Sequence, residues 1–280
     1  MIKRAYVEIT NVCNLHCSFC PGTRREPGFL APENFQIMAE KLRTVTEYLY
    51  LHVLGEPLLH PQLKEILTIA AGQKFRVCIT TNGFLLPARG PELLEADCLH
   101  KVSVSLHSFE GNEGGDLNPY LEGVWDFAAK AAEKGILCAL RLWNQGGQDR
   151  RNGEIFAFLS EKCGKDVAAL PVDAAGNRRL MKGLYLEQAE KFDWPDKNGQ
   201  ERGTEFCHAL RQQIAVLWDG TVVPCCLDGE GEMALGNLLT EDLPAILTSR
   251  RALDMVQGFQ RRKPTEELCR KCGYAERFRR

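Results

Sequence analysis

The sequence lacks the features that would place the protein in a membrane, in a secretory pathway or along nucleic acid. No apolar run reaches the roughly 18 residues that a membrane-spanning helix requires. The chain opens MIKRAYVEIT, without an apolar signal segment, so we do not expect a secreted disulfide framework. The formal net charge of −2 argues against a nucleic-acid-binding surface over the whole protein. No internal repeat of fixed period is present, which argues against a solenoid.

Twelve cysteines stand out in an otherwise ordinary composition. The chain has 280 residues, 44% of them hydrophobic and 26% charged, as in soluble globular proteins. That length allows one large domain with a small appendage. Cysteines without a signal segment favour a reducing compartment and metal ligation over disulfides. We therefore predict a cytoplasmic protein with no membrane partner.

Strand-like and helix-like stretches alternate along the first two thirds of the chain, which predicts an α/β protein with a parallel sheet. The predicted strands are residues 6–10, 48–53, 75–80, 102–106 and 136–142, with a weaker one near 167–171. The predicted helices are residues 33–46, 62–71, 91–96, 120–134 and 154–163. About six β/α units are countable, fewer than in a complete eight-unit barrel.

The pattern changes in the last third of the chain. Residues 193–205 are polar, contain proline and glycine, and are predicted to form a linker or exposed loop. Residues 213–218 and 221–223 flank Asp219-Gly220, a pair that favours tight turns, and predict a hairpin. A helix is expected around residues 241–250. The predicted domains are residues 1–200 and residues 201–280.

Three cysteines stand close together in the run CNLHCSFC, at Cys13, Cys17 and Cys20. A closed cubic iron–sulfur cluster takes four cysteines, so three leave one iron open, as catalytic metal sites do. The loop follows the strand-like AYVEIT and is expected at the C-terminal end of a strand, where α/β folds place their chemistry. Zinc with His16 as fourth ligand is an alternative, although zinc sites usually use C-x2-C pairs separated by a longer gap.

This loop resembles the signature of the radical S-adenosylmethionine (SAM) enzymes, and Phe19 matches the aromatic residue that the family usually has before the third cysteine. The resemblance implies a partial (β/α)6 TIM-like barrel and a [4Fe-4S] cluster whose open iron binds SAM. It implies cleavage of SAM to methionine and a 5′-deoxyadenosyl radical, which abstracts hydrogen from the substrate. The electron would come from an external donor such as flavodoxin or ferredoxin.

The resemblance extends to a turn that would hold SAM. Gly55, Glu56 and Pro57 follow a predicted strand and are similar to the family's G-G-E-P motif, with Leu54 in place of the first glycine. In the family, the bare backbone of this motif binds the SAM amino group. The alternative is an ordinary Gly-Pro turn that ends a strand.

Two further strands carry candidate SAM ligands. Ser105 corresponds to the serine of the family's S-x-D pattern, and His107 stands where the acid usually lies. Arg141 lies within an apolar strand, where its charge needs a partner. That partner is either the SAM carboxylate or an acidic side chain in a buried ion pair.

A second group of cysteines follows the predicted linker. Four thiolates from three segments predict a closed site for iron–sulfur or for zinc. The stretch 207–272 resembles the SPASM or twitch extension of radical SAM proteins, which implies one auxiliary [4Fe-4S] cluster. The implied ligands are Cys207, Cys225, Cys269 and Cys272. Cys225 is preferred to Cys226 because it keeps a G-x4-C spacing after Gly220. The remaining cysteines are expected to be small buried hydrophobic residues, namely Cys78, Cys98, Cys138 and Cys163.

The substrate is the least defined part of the prediction. His52 and His107 lie near strand ends and are candidates for catalysis or substrate contact. SPASM-type clusters commonly accompany peptide or protein modification, so a peptide or protein is expected first. Because Met1–Arg4 leaves no room for an N-terminal peptide-recognition domain, RNA, a nucleotide or a small metabolite is the alternative.

Two other interpretations concern the tail and the class of protein. Residues 250–280 contain ten lysines or arginines and four acids, which suits either RNA contact or a solvated surface with local ion pairs. A non-enzymatic electron carrier or redox sensor would use the same cysteines without turning over SAM.

Overall fold

The computed structural model describes residues 2–112, 115–147, 149–202 and 206–278, and within them the chain forms a ten-stranded sheet with helices on one face. The strands are β1 (Arg4–Val7), β2 (Tyr48–Tyr50), β3 (Arg76–Thr81), β4 (Leu99–Ser105), β5 (Leu137–Gln145), β6 (Asn177–Met181), β7 (Leu184–Glu190), β8 (Gln213–Val216), β9 (Thr221–Val223) and β10 (Gly236–Asn237). The helices are α1 (Pro32–Arg43), α2 (Leu63–Gly72), α3 (Leu86–Leu94), α4 (His107–Glu110), α5 (Leu117–Glu133), α6 (Asn152–Cys163), α7 (Leu243–Leu247), α8 (Arg250–Gln260) and α9 (Glu267–Arg270). Short 3-10 turns cover Pro57–Leu59 and Gly273–Phe278.

The strands lie in the order β10-β9-β8-β1-β2-β3-β4-β5-β7-β6. From β8 to β7 all neighbours are parallel, and antiparallel strands lie at both edges. The sheet is therefore open, and the predicted α/β class with a partial six-unit barrel is confirmed. Among the residues that the structure describes, no helix is both long and apolar enough to cross a lipid bilayer.

The helices form because each has one apolar stripe that covers the outer face of the sheet. In α1, the buried side chains Phe35, Met38, Ala39 and Leu42 recur at the spacing of one helix face. Pro32 occupies the first turn, where its missing N–H costs nothing. The core lies between these stripes and the outward-facing residues of the strands.

The C-terminal region continues the barrel sheet. Strand β8 pairs in parallel with β1, with Ala5 opposite Ile214 and Tyr6 opposite Ala215. The predicted hairpin is confirmed, since β8 and β9 are antiparallel on either side of Gly220. The boundary near residue 200 stays a prediction, and it falls between β7 and β8, two strands of one continuous sheet.

Two elements differ from the predictions. The sixth parallel strand is Leu184–Glu190 and not 167–171, because Pro171 cannot donate to a strand ladder and Asp166 caps a turn by accepting from the N–H of Ala168. The alternating pattern of the true strand is weakened by the polar residues Glu187, Gln188 and Glu190 in its second half. The helix expected around 241–250 is split into α7 and α8, because the Ser249 hydroxyl caps the second helix by accepting from the N–H of Ala252.

Replacing Ile214 with alanine tests how strongly β8 is anchored. Ile214 is fully buried, so Ile214→Ala should lower the free energy of unfolding by about 2–5 kcal/mol through lost burial and the cavity left behind. Leu253→Ala is the matched control, because that side chain is 44% exposed, and it should change stability by no more than about 0.5 kcal/mol. Anaerobic urea denaturation measures both, and equal losses would contradict a tightly packed β8.

Candidate cofactor and metal sites

The three-cysteine loop lies at the C-terminal end of β1, as predicted. Cys13, Cys17 and Cys20 line one cavity of about 380 Å³. Burial raises the pKa of all three thiols, that of Cys17 to about 11, and Cys13 and Cys20 are near enough to raise the Cys17 pKa further. The loop therefore presents three neighbouring sulfurs to a single space.

A turn after β4 holds this loop in place. The Asn112 side chain donates to Cys17 Sγ at 3.0 Å and accepts from the backbone N–H of His16 at 2.8 Å. The Phe19 ring packs so closely on Gly111 that a Cβ there would lie 2.8 Å from it. The same ring lies 4.7 Å from the His107 ring. The aromatic residue of the motif thus fixes the loop against α4.

His16, which would be the fourth ligand of a zinc site, also lines this cavity. Within the described ranges, no three His, Cys, Asp or Glu side chains converge closely enough to hold a single metal ion. The three thiols surround a cavity and do not converge on the position of one ion. This arrangement suits a cluster in which each cysteine sulfur binds a different iron.

Gly55 brings the turn after β2 directly against the cysteine loop. Its φ of +73° is in the left-handed region, and a Cβ would lie 2.5 Å from the carbonyl oxygen of Thr10 and 2.8 Å from the carbonyl carbon of Asn11. The next N–H, of Glu56, donates to the carbonyl of Val12 at 2.8 Å. Only glycine allows this approach, and Gly55 lines the cavity.

The substitution of leucine for the first glycine of the motif has a packing reason. The Leu54 side chain is buried and lies within 2.4 Å of where a Cβ on Gly229 would be. Gly229 belongs to the C-terminal region, between β9 and β10. Leu54 therefore joins the turn to that region, and the missing side chain on Gly229 makes room for it.

Glu56 stabilises the turn from within. Its carboxylate accepts from the N–H groups of Leu58 at 3.0 Å and Asn82 at 2.7 Å, and burial raises its pKa to about 6. Glu56 lines the cavity, whereas Pro57 is buried in the 3-10 turn behind it. Ser105, at the end of β4, lines the same cavity.

Several residues that line this cavity were missed from the sequence. Asn82 and Ser108 face the same space, and the Asn82 side chain donates to the Asn14 side chain within the cysteine loop. The signal for Asn82 was the polar run Thr80-Thr81-Asn82 at the predicted end of β3. The third missed residue, Trp194, comes from the predicted linker and so carried no signal.

Arg141 forms an ion pair with an acidic side chain, which is one of the two partners expected for a charged residue in an apolar strand. Its Nε donates to Glu187 Oε2 at 3.0 Å, and Nη1 donates to Thr80 Oγ1 at 3.3 Å. Thr80 lines the cavity beside the cysteine loop, whereas Arg141 is not one of the described residues that line this cavity. The carboxylate partner of Arg141 in this structure is therefore Glu187.

Neither His52 nor His107 titrates near neutral pH. Burial lowers the pKa of His52 to about 3 and that of His107 to about 4, with the Arg141 charge acting in the same direction. Both rings are therefore neutral. His52 Nε2 lies 3.1 Å from Thr80 Oγ1, and His107 Nδ1 lies 3.0 Å from the Arg141 carbonyl, to which it donates.

The second cysteine group surrounds a smaller cavity of about 40 Å³ in the C-terminal region. Four thiols line it, namely Cys207, Cys225, Cys269 and Cys272. Burial raises the pKa of Cys225, and the neighbouring Cys226 and the other three thiols that line the cavity raise it further. Cys226 is not among the described residues around the cavity, and it hydrogen-bonds with the Tyr6 side chain instead. The other predicted apolar cysteines are buried, except Cys163, which is partly exposed.

A third cavity, of about 750 Å³, lies between the cysteine loop and the C-terminal region. Phe19, Cys20 and Trp194 line both this cavity and the smaller one beside the loop. Leu227 and Leu268 line both this cavity and the four-cysteine cavity. The large cavity thus lies between the two cysteine sites.

A buried ion pair connects the parts that frame these cavities. Glu8 is fully buried after β1, and both of its oxygens lie 2.7 Å from Arg25 Nη2. The same carboxylate accepts from the N–H groups of Leu54 at 3.4 Å and Trp218 at 3.3 Å. Arg25 Nε donates to the Gly229 carbonyl at 2.7 Å. Burial raises the pKa of Glu8, and the Arg25 charge acts against that rise.

An open α/β barrel with a three-cysteine loop at its strand ends and a four-cysteine site beside it is the architecture of an iron–sulfur enzyme. Comparison with known families makes the class specific. A family model for the radical SAM superfamily matches residues 7–159, and one for the SPASM iron–sulfur cluster-binding domain matches residues 207–273. The chain belongs to the radical SAM superfamily of enzymes and carries a SPASM domain. Its cofactors are a SAM-binding [4Fe-4S] cluster, SAM and an auxiliary cluster, and the two groups of converging thiols fit the clusters.

Two curated relatives and one solved structure are informative. A GTP 3′,8-cyclase from Microcystis aeruginosa is 27% identical over 230 residues, covering 76% of this chain and 63% of the cyclase. The chain thus spans less than two thirds of that relative. A probable GTP 3′,8-cyclase from Methanococcus maripaludis is 30% identical over 286 residues, covering 85% of this chain and 90% of the relative. The structure of BtrN in complex with AdoMet and 2-DOIA is 18% identical, with a TM-score of 0.64 over 97% of this chain and 93% of that chain, and shows the fold.

Replacing Gly55 with alanine tests the bare backbone beside the cysteine loop. The new methyl group would collide with the backbone around Thr10, so we expect SAM affinity to fall at least about tenfold, with iron content retained. Gly72→Ala is the matched control, because nothing lies within 4 Å of its Cβ position, and it should bind SAM normally. Equilibrium dialysis against labelled SAM measures both, and equal affinities would exclude this role for Gly55.

Iron analysis of two neighbouring cysteine variants tests the auxiliary ligands. Cys225→Ala should lose about four irons per chain, because a cubic cluster needs all four thiolates. Cys226→Ala should keep them, because that thiol lies outside the cavity and contacts Tyr6. Iron and sulfide counts on anaerobically reconstituted protein are the measurement. Loss of iron in Cys226→Ala, with iron retained in Cys225→Ala, would make Cys226 the ligand instead of Cys225.

Proposed function

We propose that this chain binds SAM beside Cys13, Cys17 and Cys20 and removes a hydrogen atom from a substrate held in the large cavity. One observation carries the proposal: the three thiols, the Gly55 turn and Ser105 all line one cavity. That cavity shares Phe19, Cys20 and Trp194 with the larger space. SAM and substrate would therefore occupy adjoining volumes.

The residues of the site have distinct tasks in this proposal. When bound, the cluster and SAM together supply the reductive cleavage that produces the hydrogen-abstracting radical. Gly55 would leave its backbone open to the SAM amino group, and Ser105 would offer a hydroxyl to the same cavity. Glu56 keeps the turn in shape by binding two N–H groups. Phe19 and Trp194 line both cavities and would lie between SAM and the substrate.

The four C-terminal thiols would hold the auxiliary cluster beside the substrate. Pro195, Leu227 and Leu268 line both the large cavity and the four-cysteine cavity, so apolar side chains lie between the two. That position suits an electron acceptor for the substrate after hydrogen removal. The first electron is proposed to come from a flavodoxin- or ferredoxin-type donor.

A nucleotide is the substrate class that we propose. Two relatives bear the name GTP 3′,8-cyclase, one of them matching most of its own length, which favours a nucleotide over the peptide expected from the SPASM extension. RNA binding by the basic residues of the C-terminal tail has less support, because several of these residues are in ion pairs. Arg250, Arg251 and Lys271 pair with Asp254, Glu266 and Glu267, respectively. Arg279 and Arg280 lie outside the described residues.

Product analysis tests the chemistry and the substrate class separately. Reconstituted protein with SAM and dithionite should form 5′-deoxyadenosine, and a Cys13→Ala variant should form almost none, whereas Cys163→Ala should be normal. With GTP deuterated in the ribose, deuterium should appear in the 5′-deoxyadenosine. Absence of 5′-deoxyadenosine from the unaltered protein would overturn the chemistry. Its formation without deuterium transfer would reject this nucleotide and return attention to peptides.

A further inference from the structure

One segment of the chain reaches all three cavities. Trp194 lines the cavity beside the cysteine loop and the large cavity, and Pro195, the next residue, lines the large cavity and the four-cysteine cavity. Both belong to residues 192–202, which lead from β7 to the C-terminal region and which we call the strap. In the described structure, no residue of the strap belongs to a helix or a strand. The position of Trp194 therefore depends on the contacts that the strap makes with other segments.

The strap is bonded to residues 269–272, the turn that begins and ends with a cysteine of the four-cysteine site. The backbone N–H of Arg202 donates to the carbonyl of Arg270 at 2.8 Å. The ammonium group of Lys271 donates to the carbonyl of Lys197. Four consecutive residues thus supply two thiols to the cavity and two hydrogen bonds to the strap.

Gly273 adds a close backbone contact at the end of this turn. It is buried, and a Cβ at this position would lie 2.7 Å from the carbonyl oxygen of Asp193. Beside Asp193 in the chain, the Phe192 ring lies 5.0 Å from the Tyr274 ring in an edge-on arrangement. The two residues that precede Trp194 are therefore packed against the two residues that follow the turn.

The downstream end of the strap leads to a third thiol of the same site. Cys207 lies five residues after Arg202 in the chain and lines the four-cysteine cavity. Because thiolate ligands are bonded to the metal centre, metal binding contributes directly to the folding of the segments that supply them. Filling the site would thus fix the turn at residues 269–272 and the chain just beyond the strap.

The rest of the strap is weakly held. Asp196, Lys197 and Asn198 line the large cavity but are exposed to solvent. Lys197 forms an ion pair with Glu232 at 3.0 Å, but its side chain is 51% exposed, and exposed pairs contribute little stability. Segments with few buried contacts open at a low free energy. The strap therefore depends on the cysteine turn to stay in place.

We propose that filling the four-cysteine site positions Trp194, so that the auxiliary cluster sets the shape of the SAM and substrate cavities through the strap. The proposal rests on the proposed function for the identity of the two ligands, and it adds a positioning role to that of an electron acceptor. Loss of the cluster would loosen residues 269–273 and release Trp194 from the wall of both cavities. By linkage, SAM binding would in turn protect the strap.

Hydrogen exchange measured by mass spectrometry on anaerobically reconstituted holoenzyme tests the link between cluster and strap. Cys225→Ala removes a ligand that belongs neither to the strap nor to the turn that holds it. Peptides from residues 192–202 should then exchange at least about tenfold faster, while peptides from α2 stay unchanged. Cys226→Ala is the matched control and should leave the strap protected, because that thiol contacts Tyr6. Unchanged strap exchange in Cys225→Ala that has lost its auxiliary irons would overturn the proposal.

Gly273→Ala tests the strap with the auxiliary cluster in place. The new methyl group would press on the Asp193 carbonyl, so SAM affinity should fall about fivefold while both clusters keep their iron. Gly153→Ala is the control, because nothing lies within 4 Å of its Cβ position, and it should bind SAM normally. Equilibrium dialysis against labelled SAM measures both, and equal affinities in the two variants would contradict a positioning role for the strap.

A double-mutant cycle tests whether the effect passes through the indole. Trp194→Ala should weaken SAM binding, and Trp194→Phe should restore most of it. Adding Cys225→Ala to Trp194→Ala should cause no further loss, because the coupled side chain is already absent. Additive losses would overturn the role of Trp194. Formation of 5′-deoxyadenosine by the unaltered protein is measured separately, and its absence would count against the proposed function, whereas hydrogen exchange reports on the strap alone.

Discussion

The site depends on one buried carboxylate. Glu8 lies after the first strand without solvent contact and holds Arg25 from the cysteine loop, the N–H of Leu54 before the Gly55 turn and the N–H of Trp218 from the C-terminal hairpin. Arg25 in turn binds the carbonyl of Gly229. A buried ion pair adds little net stability, but loss of one partner leaves an uncompensated charge. The pair therefore joins three segments of the chain through bonds to a single carboxylate.

The C-terminal region lines the cavity that we propose for the substrate, as well as carrying the four-cysteine site. Leu54 enters the space left by Gly229, and Leu227 and Leu268 separate the large cavity from the four-cysteine cavity. Trp194 lines both the large cavity and the cavity beside the cysteine loop. A substrate in the large cavity would contact both halves of the chain. Its reacting carbon could then lie near SAM while an electron acceptor lies behind a single layer of side chains.

Local signals carried most of the fold and the cysteine sites. The structures of the run CNLHCSFC and of the Asp219-Gly220 turn are each predicted from a few neighbouring residues. The alternation of strands and helices predicts an open α/β barrel. Interactions distant in sequence were not readable in this way. Arg141 is paired with Glu187, which lies on a strand whose alternating pattern is weakened by polar residues. Trp194 comes from a polar stretch with no periodicity, and only the folded chain brings it to the cavity.

The parallel pairing of β8 with β1 also sets an order of events during synthesis. Residues 213–216 leave the ribosome long after residues 4–7, yet they cover the edge of the strand that leads into the cysteine loop. Until then, β1 has one unpaired edge, and Glu8 lacks its bond to Trp218. Non-local pairing of this kind is slow to form. The frame around the first cysteine loop is therefore complete only when residues 213–218 are available to pair with β1 and to bind Glu8.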